Sequence, residues 1–278
     1  MRLGTARSNG RHHAICERSG QLYPLIGGVG KDLSELIPLG PALPVHQTPL
    51  PDAQLMAPLR PRQIIAVGLN YLDHIRESGL ARPDEPLLFA KFPSCVIGPH
   101  ADIVVDPSVT ARVDWEVELG VIIGKPTRSV SPRDALSHVF GYTIANDVSA
   151  RDLQFGDGQW VRGKSLDTFC PLGPLVVTTD EVVDPQALGL RTWVNDDLVQ
   201  DSSTAEMLFP VNELVAYCSR HFTLDAGDVL LTGTPWGCGE FASPRRSLND
   251  GDVVTVSVDG LGHLQNTVRF VQPATAVG

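Results

Sequence analysis

The segment Val113-Asp-Trp-Glu-Val-Glu-Leu-Gly-Val-Ile-Ile123 carries acids at alternate positions, Asp114, Glu116 and Glu118. Read as a strand, it alternates side chains between faces, so these carboxylates share one face, with Trp115, Val117, Leu119 and Val121 on the other. Carboxylates crowded at strand spacing repel unless the face is wet or a cation is bound, and a hard divalent cation takes oxygen ligands of this kind. A solvated strand face would give the same pattern. A further acid shifts the balance: Asp147 follows Tyr142-Thr-Ile-Ala-Asn146, where an apolar strand gives way to polar loop chemistry. Two carboxylates on one strand and one at a strand end make an open magnesium site, with water in the remaining positions. His74 and Glu77 form a second constellation, three apart and therefore on one face of a short helix. A carboxylate beside an imidazole orients it to take a proton from water. An ordinary exposed helical pair has the same spacing.

The elements that must position these groups are mostly strands. Ile64-Ile-Ala-Val67 is a short buried strand ending at Gly68. Asn70 to Gly79 reads as the short helix, with Asn70 as N-cap, Asp73 in the first turn and Gly79 past the end. Asp114 to Gly124 is one strand, and Tyr142–Asn146 and Leu175–Thr178 are others. Arg191–Gln200 is a hairpin turning at Asn195-Asp196, and Val229–Leu231, Val253–Val258 and Leu264–Phe270 complete a strand-rich second half. Ser131-Pro opens a short helix. The clearest helix starts at Pro210, with Val211, Leu214, Val215 and Cys218 at i, i+3, i+4 and i+7. The class is α+β with β dominant. Residues 1–57 read as a small N-terminal domain and 58–278 as the catalytic domain. Ile26-Gly-Gly-Val-Gly-Lys-Asp32 fails as a phosphate loop, since Leu25 and Asp32 stand where Gly and Ser/Thr are required.

Bulk properties narrow the partners. The net charge of −10 comes with no basic cluster, which argues against nucleic acid. Five cysteines without a C-x-x-C pair argue against a disulfide framework or structural zinc and suit a reducing compartment. No signal-like or membrane-length apolar run is present, so the expectation is a soluble, cytoplasmic protein with no membrane partner.

The order of segments resembles the fumarylacetoacetate hydrolase family. The resemblance is carried by Val67-Gly-Leu-Asn-Tyr71 with His74, Asp114-Trp-Glu-Val-Glu-Leu119 and Asn146-Asp-Val-Ser-Ala-Arg-Asp-Leu-Gln154. It continues through Arg162-Gly-Lys-Ser165, Cys170-Pro-Leu-Gly-Pro174 and Leu231-Thr-Gly-Thr-Pro235, spanning Pro61 to Phe270. It implies a rolled, mixed β-sheet and a homodimer or higher homo-oligomer. It also implies Mg²⁺ or Mn²⁺ held by Glu116, Glu118 and Asp147, with Asp114 alongside in a structural role. Lys164 then stands at the metal centre, where Gly163 would let the backbone approach a ligand, and Gln154 and Thr234 contact substrate. The His74–Glu77 pair, on a mobile lid, matches the general base of family members that cleave carbon–carbon bonds. Arg151 is a candidate for a substrate carboxylate. For Arg76 a salt bridge from Asp73 is the simpler reading. The polar run Trp236 to Arg246 and Phe155-Gly-Asp-Gly158 would reshape the pocket rim.

These features point to a metal-dependent enzyme that cleaves a C–C bond of a small 2-oxo or β-diketo carboxylic acid, by hydrolysis or decarboxylation through an enolate. An isomerase or decarboxylase of a 2-hydroxydienoate in aromatic catabolism is the alternative. A non-catalytic protein in which metal only neutralises the acidic strand is a third reading. A cysteine nucleophile at Cys170 or Cys238 is weaker, because nothing in the sequence assigns either a base.

Overall fold

The structure is a computed structural model that describes residues 1–271, so 272–278 of the expected catalytic domain lie outside the described residues. The chain opens with three antiparallel strands, β1 (Arg2–Ser8), β2 (Arg11–Arg18) and β3 (Gln21–Val29), followed by the short β4 (Gln54–Leu55). Then come β5 (Ile64–Gly68), α1 (Leu72–Ser78), β6 (Leu87–Lys91), β7 (Val96–Ile97), β8 (Ile103–Val105), β9 (Val113–Asp114) and β10 (Val117–Ile123). A middle section holds α2 (Pro132–Ala135), β11 (Val139–Asn146), β12 (Ser149–Ala150), α3 (Arg151–Gly156), α4 (Val161–Lys164) and β13 (Cys170–Thr178). The last part contributes β14 (Gly189–Val194), β15 (Asp197–Ser203), α5 (Val211–His221), β16 (Val229–Leu231), β17 (Val253–Val258) and β18 (Gly262–Phe270).

The class is mixed α+β and mainly strand. The largest sheet runs β3-β2-β1-β13-β11-β10-β16-β5-β6, with β4 and β7 added at its sides. The N-terminal strands are part of this sheet, because β1 pairs with β13 through Arg2↔Val177 and Leu3↔Val176. A second sheet runs β15-β14-β17-β18-β8. β10 sits between β11 and β16, buried along its whole length. Val117, Leu119, Val121 and Ile123 feed the larger core, while Ile122 joins a second core with Leu231, Ile64 and Ala66. A strand apolar on both faces has no wet side, so an acid on it needs a partner. α5 packs Val211, Leu214, Val215 and Cys218 inward at the expected spacing. Each such side chain contributes about 1.5–3 kcal/mol by burial. Among the described residues no helix is long and apolar enough to cross a membrane.

Three local expectations are corrected. The strand expected from Asp114 to Gly124 is interrupted at Trp115-Glu116, where Glu116 exchanges bonds with the 146–147 corner instead of a regular ladder. Asn70 does not cap α1, whose N-cap is Tyr71. Instead, buried Asn70 bonds Phe209 O, Phe209 N and Thr232 O, tying the end of β5 to two other segments. Arg76 pairs with Glu206, and Asp73 turns to Ser202 and the His74 amide, so the Asp73–Arg76 bridge does not form.

Candidate active site

Glu116, Glu118 and Asp147 converge from the β9–β10 break, β10 and the loop after β11. Each offers an oxygen within 4.8 Å of the others, and all are buried. The register of β10 on β11 accounts for the meeting: Val117 faces Asn146, so Glu116 and Asp147 continue side by side, and the Asp147 amide donates to Glu116 O at 2.8 Å.

Lys164, at the end of α4, lies between two of these acids, with Nζ 2.6 Å from Glu116 Oε2 and 2.8 Å from Asp147 Oδ2. Gly163 has a different task from the one expected. A Cβ there would stand 2.6 Å from Gln154 N and 2.9 Å from Ala150 O, so its bareness lets α4 lie against α3. Arg151, at the start of α3, holds Asp114 Oδ2 at 2.8 Å and Glu116 Oε1 at 2.7 Å. Its third nitrogen donates to Gln154 Oε1 at 2.9 Å. Asp114 also accepts from the amides of Trp115, Gly239 and Glu240, which fits a structural anchor for the 237–241 loop.

One cation at the site was not anticipated from sequence. Lys91, at the end of β6, is buried, with Nζ 2.5 Å from Asp147 Oδ1; it also donates to the carbonyls of Lys164 and Phe169. Burial works against its charge, but Asp147, together with the nearby Cys95 and Cys170 sulfurs, outweighs it and raises the pKa. Burial likewise works to raise Glu116, yet Lys164 and Arg151 bring it down to about 2. Glu118 goes the other way, pushed well up by burial and by the charges of Asp147 and Glu116. Its Oε2 accepts from the Gly233 amide at 2.8 Å, but it has no ion-pair partner among the described residues.

This imbalance tests whether the residues fit a metal. Four buried carboxylates (Asp114, Glu116, Glu118, Asp147) face three buried cations (Lys91, Lys164, Arg151), and Glu118 is the acid left without a cation. An all-oxygen set with one acid lacking a counter-charge fits a hard divalent ion such as Mg²⁺ or Mn²⁺.

Opposite the acids stands α1. His74 Nδ1 lies 3.2 Å from Glu77 Oε2, and Glu77 Oε1 accepts from the Gly237 amide at 2.9 Å. The His74 ring meets Phe241 edge-on at 5.3 Å. His74, Glu116, Glu118, Arg151, Gln154, Lys164 and Thr234 line one cavity of about 40 Å³. Leu80, Phe89, Phe155, Trp160 and Phe241 supply its apolar wall. Thr234 is held by Gln200, whose Nε2 donates to Thr234 Oγ1 at 3.0 Å while its Oε1 accepts from the Val117 amide and Thr192. All the expected site residues thus border one chamber except Asp147 and Glu77, which touch it through Lys164 and His74. Cys238 also arrives beside His74 and Glu77, giving ligand atoms within 4.8 Å of one another. It is no activated nucleophile, because burial and the nearby Glu116 and Asp114 push its thiol pKa well up.

The sequence pattern of the Fumarylacetoacetate (FAA) hydrolase C-terminal domain matches residues 63–269. The chain is 48% identical over 217 residues to "Oxaloacetate tautomerase fahd2, mitochondrial" of Xenopus laevis, covering 77% of this chain and 68% of that one. It is 44% identical over 233 residues to "Oxaloacetate tautomerase FAHD2A, mitochondrial" of Homo sapiens, covering 83% and 73%. Among solved structures, a fumarylacetoacetate hydrolase from Exiguobacterium antarcticum superposes with TM-score 0.90 at 42% identity over 98% of this chain and 100% of that one. A 5-carboxymethyl-2-hydroxymuconate delta-isomerase from Mycobacterium smegmatis superposes with TM-score 0.81 at 36% identity, over 99% and 100%.

Proposed function

The chain belongs to the fumarylacetoacetate hydrolase family, an enzyme family acting on small acids, and from that premise we propose that it interconverts the keto and enol forms of a small 2-oxo dicarboxylate of the oxaloacetate class. The observation that carries this reading is the His74–Glu77 dyad facing the Glu116–Glu118–Asp147 group across one small chamber. Keto–enol exchange needs a base at the carbon beside the carbonyl and positive charge at the carbonyl oxygen, and the chamber supplies both kinds of group. The names of the relatives point to the same substrate class.

Glu116, Glu118 and Asp147 would hold Mg²⁺ or Mn²⁺, which when bound supplies Lewis-acid polarisation of the keto oxygen. Lys164, already between Glu116 and Asp147, adds a fixed positive charge where the enolate oxygen develops. His74 takes the proton from the carbon next to the carbonyl as the enolate oxygen takes one up from water, and in the reverse direction the enol O–H gives its proton to water while protonated His74 returns one to that carbon. Glu77, itself held by the Gly237 amide, fixes the imidazole's orientation. Leu80, Phe89, Trp160 and Phe241 exclude bulk water and strengthen these charges. Arg151 and Gln154 face the chamber for a substrate carboxylate, but Arg151 first has to share itself with Asp114 and Glu116. Leu80, just past α1, and Phe241 of the 236–241 loop border this chamber of about 40 Å³. A homodimer or higher homo-oligomer is the assembly proposed.

Cleavage of a C–C bond, by decarboxylation or hydrolysis, is the second reading, favoured by the same base and the same enolate. A panel of oxaloacetate, acetylpyruvate, fumarylpyruvate and a dienol diacid, each with and without Mg²⁺ or Mn²⁺, separates the two. Fast keto–enol exchange of oxaloacetate without carbon dioxide release supports the first reading. Metal-dependent product release from an acylpyruvate supports the second, and no turnover of any panel member by folded protein counts against both.

A further inference from the structure

The 236–241 loop brings a thiol to the dyad. Cys238 Sγ is wholly buried and, among the described residues, its hydrogen-bond contacts are long ones, 3.9 Å to Pro235 O and 4.0 Å to Gln200 Nε2. A His74 ring nitrogen, a Glu77 oxygen and Cys238 Sγ lie within 4.8 Å of one another. We infer that His74, Glu77 and Cys238 form a second metal site, selective for zinc, and that zinc bound there inhibits the enzyme by occupying His74.

The donor set separates this site from the acidic one. Imidazole, carboxylate and thiolate suit Zn²⁺, whereas the three carboxylates of the other group suit a hard ion. Ligands about 2.0–2.3 Å from a tetrahedral zinc stand roughly 3.3–3.8 Å apart. His74 Nδ1 and Glu77 Oε2 are already 3.2 Å apart, and Cys238 Sγ lies within 4.8 Å of a ligand atom of each residue, so completing the site calls mainly for Cys238 to draw closer to the pair. The surroundings support the orientation. The Gly237 amide fixes Glu77 from the residue next to Cys238, and a hydrogen bond that orients a ligating carboxylate from outside the metal's own bonds is how such sites are set. Glu77 is 18% exposed in its side chain, which gives the ion a way in from solvent. On binding, the S–H bond of Cys238 breaks, the sulfur keeps the electron pair for zinc, and the proton leaves to solvent. Cys16, Cys95, Cys170 and Cys218 are also buried, and none of them belongs to a metal-ligand cluster among the described residues. The inhibitory effect rests on the proposed role of His74 as base; the site itself does not.

Cobalt(II) replaces zinc and reports a sulfur ligand by thiolate charge-transfer absorption. Adding Co²⁺ to the full chain with excess Mg²⁺ is expected to give that band, and adding Zn²⁺ to bleach it. Cys238→Ala and Cys238→Val are both expected to lose the band while melting cooperatively. The valine variant guards against a cavity artefact in the alanine one. Zinc inhibition, scored against each variant's own zinc-free rate, should weaken at least about tenfold in both. No thiolate band in the wild type, or a band unchanged in folded Cys238 variants, overturns the site. A Cys238-dependent band without zinc inhibition upholds the site and counts instead against His74 as the base.

Discussion

Lys91 and Lys164 grip Asp147 from opposite sides, Lys91 Nζ at 2.5 Å from Oδ1 and Lys164 Nζ at 2.8 Å from Oδ2. Because Lys91 also donates to the Lys164 carbonyl, the two lysines and the acid form one unit joining β6, α4 and the end of β11. Lys91 has no exposed face and borders no part of the chamber, so its work is to hold Asp147 and the α4 terminus. Lys91→Met leaves Asp147 with one cation fewer in a dry site, and breaking such a pair costs about 3–5 kcal/mol. The midpoint in denaturant is expected to fall accordingly, with little loss for an exposed control such as Lys125→Met.

Glu118 gives an opposite expectation. Burial and its acidic neighbours push it up, so in metal-free protein it is the strained member of the group. Glu118→Gln removes that repulsion while keeping an oxygen for the Gly233 amide. Its metal-free melting temperature is therefore expected at or above that of the wild type. Added Mg²⁺ or Mn²⁺ stabilises the wild type by mass action but has much less effect on the variant. Differential scanning calorimetry with and without metal reads both effects.

For the dyad, chemistry and metal binding should separate. His74→Ala is expected to lower turnover about 10²–10⁴-fold while the metal-dependent rise in melting temperature persists. Glu77→Gln should lose less, since the imidazole remains and only its orientation weakens. Its effect should appear mainly in kcat rather than KM, which steady-state kinetics measures.

Gly163→Ala tests the seating of α4. The added Cβ meets backbone of α3 at 2.6 Å, which no side-chain rotation relieves. Lys164 must then shift, and misplacing a charged group by about 1 Å can cost on the order of 10²-fold in rate. Gly158→Ala, with nothing within 4 Å, serves as the neutral control. Equal activity of the two variants would contradict the packing account.

Much of this architecture was legible because it is local. The α5 spacing, the turn at Asn195 and the Val229–Leu231 strand all follow from short-range pattern. Asp114, Glu116 and Glu118 were legible as a chemical group, although alternation alone would have placed Asp114 with the other two. The break at Trp115-Glu116 instead turns Asp114 to Arg151 and the 239–240 amides. What stayed hidden depends on contacts between distant segments. Lys91 meets Asp147 across 56 positions, and a lysine closing an apolar strand ordinarily reads as a surface charge. Gln200, Phe241 and Cys238 likewise acquire their places only when the hairpin and the 236–241 loop close over α1.

The most direct test of the account is the decay of the enol absorbance of oxaloacetate at neutral pH, followed against the buffer rate. Wild type with Mg²⁺ or Mn²⁺ is predicted to accelerate it, with the acceleration lost in Glu116→Ala, on removing metal and, in large part, in His74→Ala. An uncatalysed rate with folded, metal-binding protein, or a His74→Ala rate equal to that of the wild type, would contradict it.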